Sequence, residues 1–153
     1  MFPALRPILN KGGAGRYISR AESVERLTPV AERHLDLLRH YDRELAVMPD
    51  GPAKERVEAM MPYLRTEVSK MSETILSLGG TPPSGAGQMG ASAPPPSDRD
   101  PIRAFLDAET DFGGALRDEA DAVHHQERTR AILVHNAEAS DARRDLLRGI
   151  AAG

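Results

Sequence analysis

Apolar residues recur along most of this chain at alternating spacings of three and four, the period of helices that bury one face. Val24, Leu27, Ala31, His34, Leu38, Tyr41, Leu45 and Met48 trace the first stripe. Ser19, with Glu22 three residues later, fits a capping box at its start, and Pro49-Asp50-Gly51 stops it. Pro29 falls inside this helix and is expected to bend it, because its ring removes a backbone donor. A second helix opens at Pro52 and carries Val57, Met61, Leu64, Val68, Met71, Ile75 and Leu78 on its stripe. Pro62 predicts a kink in it, and Gly79-Gly80 its end. The tight turn between the two helices makes them an antiparallel hairpin.

Residues 79–99 are dominated by Gly, Pro, Ser and Ala, a composition that forms neither helix nor packed strand. A Pro-rich chain covers ~3.1 Å per residue, so this linker can run back along a helix of roughly 40 Å and join two parallel helices. That is the long crossover of some four-helix bundles. Asp100 and Pro101 start a third helix with the stripe Ile102, Phe105, Glu109, Phe112, Leu116, Ala120, Val123, Glu127, Ala131 and Val134. Its end falls either near His124-His125 or near Asn136 to Ser140. The later break is expected, with Ser140 and Asp141 capping a short last helix through Ile150. The chain thus divides into an N-terminal arm over 1–18 and an all-α, up-down helical bundle over 19–153.

Composition agrees with helices. Aromatic residues make up 4% of the chain and Trp is absent, so the core is built mainly from Leu, Ala, Val, Ile and Met. Without Cys there is no disulfide, thiolate metal site or cysteine nucleophile, which fits a reducing, cytoplasmic setting. A net charge of −3 offers little to nucleic acid, although residues 1–20 carry Arg6, Lys11, Arg16 and Arg20 and no acid, which makes the N-terminal arm basic. Docking of that arm onto a protein neighbour is its expected use. No stretch is apolar enough to span a bilayer, and no nucleotide-binding, nucleophile-elbow or zinc-ligand motif occurs.

The segment Met71-Ser72-Glu73-Thr74-Ile75-Leu76-Ser77-Leu78-Gly79-Gly80-Thr81-Pro82 resembles the end of the second helix in the ferritin-like superfamily, especially bacterioferritins and Dps proteins. The segment Ala137-Glu138-Ala139-Ser140-Asp141-Ala142-Arg143-Arg144-Asp145-Leu146-Leu147 is similar to the junction between that family's last two helices. The resemblance implies a ferritin-like bundle, with iron as the possible metal and ferroxidase chemistry as the possible activity. A di-iron site of this kind takes one Glu from each of two helices and a Glu-x-x-His pair from each of the other two. Here Glu32 and Glu109 answer to the two lone carboxylates. Glu67 answers to the start of one pair, but Lys70 stands where its His would be, and Gly153 comes before a second pair. The intersubunit site of Dps proteins is matched only loosely, by His34, His40 and Glu73.

Glu109 lies between Phe105 and Phe112 on a core stripe, where an unpaired carboxylate would cost several kcal/mol. It must be paired, protonated or metal-bound, and His34 on the facing stripe is the expected donor or co-ligand. The candidate metal residues are therefore Glu32, His34, Glu67 and Glu109. Met60, Met61 and Met71 are expected to fill the core, and His124 and His125, adjacent on a helix, to face solvent. Two functions follow. With half its ligands missing, the bundle is expected to be a structural or assembly subunit that binds no cofactor. The alternative is a metal-binding or iron-oxidising relative whose site is completed between subunits. A short last helix would leave one side of the seam uncovered, which predicts self-association or entry into a larger assembly.

Overall fold

In a computed structural model, residues 20–84, 99–123 and 126–153 are described. The basic arm, the Ser19 cap, most of the linker and His124-His125 lie outside these residues. Four helices account for the described fold: α1 Arg20–Val47, α2 Pro52–Ser77, α3 Pro101–Ala122 and α4 Glu127–Ala152. No strand occurs among the described residues, so the chain is all-α there. None of the helices is long and apolar enough to cross a membrane.

The helix ends follow local chemistry. Asp100 accepts a hydrogen bond from the Ile102 N–H at 3.3 Å, satisfying one of the free donors at the start of α3. At the end of α2, Gly79 has φ +87°, and its N–H donates to Leu76 while that of Gly80 donates to Ile75. This is a Schellman termination, and its left-handed residue favours glycine. Both α1 and α2 continue unbroken through Pro29 and Pro62, which lie on exposed faces.

The last helix corrects the sequence expectation. The third helix ends at Ala122 and α4 begins at Glu127, so no break falls at 136–140, and α4 runs for 26 residues. The reason is helical phase. Val123 is buried and ends α3 by donating to Glu119, after which the chain re-enters a helix with a new buried face. Glu127 and Ala131, placed on the α3 stripe by extrapolation, are exposed. Leu133, Asn136, Ala137, Ser140, Arg143 and Leu147 form the real seam, which passes straight through the expected break. Ser140 faces inward and does not cap a helix. Gly113, expected to weaken α3, instead lets α4 come close, because a Cβ there would sit 3.3 Å from Ser140 Oγ.

Side-chain pairs fix the helix directions. Arg26 meets Glu119, His34 meets Phe112 and Tyr41 meets Phe105, so α3 runs antiparallel to α1. Asp42 meets Arg65, while Gly80 lies against Val24, so α2 is also antiparallel to α1. Hence α2 and α3 point the same way, and residues 78–100 join parallel helices. Leu27, Tyr41, Val57, Leu64, Ile75, Phe105, Leu116, Leu133 and Leu147 are essentially fully buried between the helices. Burying each large apolar side chain of this kind contributes about 1.5–3 kcal/mol.

Gly79→Ala should lower the unfolding free energy by about 1 kcal/mol, since a Cβ is strained at this backbone angle. Urea titration followed by far-UV circular dichroism would measure it. An unchanged midpoint would contradict the assigned helix termination.

Candidate functional site

At mid-height of the bundle all four helices contribute to one buried polar cluster. Glu109 of α3 has no exposed surface, and both of its oxygens are engaged. Its Oε1 accepts from the Tyr41 hydroxyl at 2.7 Å and from Arg143 Nε at 2.5 Å. Its Oε2 accepts from Ser140 Oγ at 2.5 Å and from Arg143 Nη2 at 3.2 Å. The guanidinium therefore grips the carboxylate with two parallel donors, the strongest geometry for this pair. Arg143 Nη1 then donates to Glu67 Oε2 at 2.7 Å, so one cation bridges carboxylates from α2 and α3. His34 Nε2 lies 3.6 Å from Glu67 Oε1, within ion-pair range when the imidazole is protonated but too long for a hydrogen bond.

Local sequence explains why these groups meet. Ser140 and Arg143 are three residues apart on the seam of α4, so both point to the same side of that helix. His34 and Tyr41 sit two turns apart on α1, and their rings lie 4.9 Å from Phe112 and 4.4 Å from Phe105. The aromatic layers thus fix the polar groups laterally.

The electrostatics follow from burial opposed by pairing. Burial alone would lower the Arg143 guanidinium, but the hydrogen bonds and charges of Glu109 and Glu67 outweigh it and raise its pKa. Burial likewise opposes ionisation of Glu67, yet the His34 imidazole and the Arg143 guanidinium hold its carboxyl below the ordinary range. Burial and the adjacent Glu109 carboxylate push the Tyr41 hydroxyl far above its ordinary value, which keeps it a neutral donor. The cluster is suited to holding a fixed charge pattern and to binding the helices together. It offers no unengaged oxygen of Glu109 as a nucleophile or base.

Of the four proposed metal residues, Glu67 lies 3.6 Å from His34 and is joined to Glu109 only through Arg143. Glu32 lies apart from them, on an exposed face of α1. Arg143 stands between Glu67 and Glu109, and no three His, Asp or Glu side chains among the described residues are grouped to hold a metal ion. His34 does not pair with Glu109 as expected; it faces Glu67 and Phe112. His40 packs its ring edge on Phe105 at 5.8 Å, with burial lowering its pKa. The sequence reading missed Tyr41, Ser140 and Arg143 as partners of Glu109. Arg143 carried a usable signal, a cation in register with Leu133, Ala137 and Leu147 on a core seam. A further buried carboxylate, Glu44, lies one turn after His40 on α1 and was also passed over. No family model matches the chain, and no curated protein matches it.

Replacing Arg143 by Met should destabilise the fold by about 3–5 kcal/mol, because it strands the Glu109 charge in the core. Glu109→Leu with Arg143→Met should recover most of that loss, since the desolvation cost then disappears from both sides. Denaturant unfolding of the parent, both single variants and the double variant measures the coupling. Additive losses would show that the two side chains do not form the buried pair described here.

Proposed function

We propose that this chain is a divergent ferritin-like bundle that acts as a structural or assembly subunit, with the Arg143 guanidinium holding the place a metal would take. The position of Arg143 carries the proposal. Its nitrogens lie 2.5 Å from Glu109 and 2.7 Å from Glu67, the two acids on which a di-metal site would depend. Unit charges 4 Å apart repel by about 4 kcal/mol at an effective dielectric of 20, and a divalent ion would meet twice that. Binding iron would therefore require expelling the guanidinium and leaving a buried arginine without its acids. The residues present do not fit a di-iron centre.

The parallel arrangement of α2 and α3 across the long linker supports the ferritin-like assignment, together with the segment over 71–82 at the end of α2; the segment over 137–147 lies inside α4 and lends it no support. The fourth helix spans 26 residues, so self-association no longer follows from a short last helix. Support for an assembly role comes instead from the seam between α2 and α4, where the bundle leaves an open cleft.

Thermal unfolding of the parent, Glu109→Gln and Glu109→Leu, with chelator and with anaerobic Fe(II) or Mn(II), tests this function. The parent midpoint should be indifferent to metal, and the bound iron should stay well below two per chain. A metal-dependent rise in the parent, of the size RT ln(1 + [L]/Kd), that vanishes in both variants would overturn the structural role. It would favour the metal-binding alternative.

A further inference from the structure

The walls of the cleft between α2 and α4 each follow a second stripe at three-four spacing. Two adjoining cavities of about 750 and 580 Å³ share Tyr63, Glu67 and Ala139 and run along the whole seam. From Arg56 to Thr74 this is five turns of α2, or roughly 27 Å. Alanines at 131, 139 and 142 keep the α4 wall low, which permits close approach of another backbone. Met60 and Met71 supply an adaptable apolar lining, and Tyr63 stands at the rim with 75% of its surface exposed.

Charge selects the occupant. Arg56, Lys70 and Arg128 are exposed along the cleft and form no ion pair among the described residues, in a chain whose net charge is −3. The acid lining the cleft, Glu67, is already engaged by Arg143. Lys70 and Arg128 stand at one end of the cleft and Arg56 at the other, which matches a rod carrying negative charge at both ends better than a single-headed amphiphile. The chain's own arm is a poor match, because residues 1–18 contain Arg6, Lys11 and Arg16 and no acid. A second copy docked cleft to cleft would place like charges opposite one another.

We propose that this cleft receives an acidic amphipathic helix of about five turns from a partner protein, its apolar face on Tyr63, Ile132 and the α4 alanines and its carboxylates on Arg56, Lys70 and Arg128. The mode is helix-in-groove recognition, with apolar anchors at i, i+3, i+4 and i+7. It specifies the partner of the assembly role proposed above and rests on that role.

A display library of helical peptides about 18 residues long, with a fixed leucine stripe and randomised flanks, can be selected on the full chain. Enriched binders should carry Asp or Glu beside the stripe. Their affinity should fall by about tenfold or more in Lys70→Glu/Arg128→Glu and weaken with salt. Ala139→Trp, which fills the cleft, should also abolish binding; circular dichroism and sedimentation verify that each variant stays folded. No enrichment, neutral or basic binders, or binding that survives Ala139→Trp would overturn the proposal. So would a parent dimer that Ala139→Trp turns into a monomer, or dodecanoate binding lost in the charge variants while no peptide is enriched. If the parent still shows no response to metal in unfolding, such a failure removes the acidic helix and leaves the structural role standing.

Discussion

A carboxylate with no access to water must find its counter-charge and its hydrogen bonds inside the protein, and Glu109 imposes that requirement on every helix around it. Tyr41 is supplied by α1, Ser140 and Arg143 by α4, while Glu67 of α2 completes the charge on the far side of Arg143. The apolar layers obey the same constraint. Tyr41 that donates to Glu109 also stacks on Phe105, one turn before Glu109 on α3. Gly113, one turn after it, leaves the space into which Ser140 of α4 fits. Removing the carboxylate would therefore release contacts on both sides of the bundle.

Buried ion pairs add little net stability over well-packed apolar residues, so the cluster is better understood through register. A slip of α4 by one turn would move Arg143 about 5.4 Å from its acids and strand all three charges. Apolar seams built from Leu and Ala would tolerate such a slip more readily. The same pair lines the α2–α4 cleft, where Glu67 and Arg143 touch across it. The open seam and the closed polar centre thus meet at one place: the Glu67–Arg143 ion pair ties α2 to α4 where the two cavities share Glu67.

Much of the fold was legible because the stripes and stops are strong. The hairpin, the Asp100 cap, the Gly79-Gly80 termination and the return through the linker all follow from residue type and spacing. The last helix was misread because the α3 stripe was extrapolated past a break where the helical phase resets, and because Ser140 has the chemistry of a cap. At the site, Glu109 and His34 were legible as polar residues on apolar stripes, and Glu67 came from the family resemblance. Pairing was less legible, since which acid meets which base depends on rotation of one helix about its neighbour. Arg143 shows the difficulty: half-buried Arg144 and exposed Arg148 follow it in sequence, and only its register with Leu133 and Leu147 marks it as buried.

The central claim is that a guanidinium, and not a metal, lies between Glu67 and Glu109. Crystals soaked anaerobically with Fe(II) and measured on both sides of the iron absorption edge test it directly. The expected map has Arg143 bridging the two carboxylates, with no anomalous peak between them. An iron peak at that position, with Arg143 swung out of the core and His34 turned toward the metal, would contradict it.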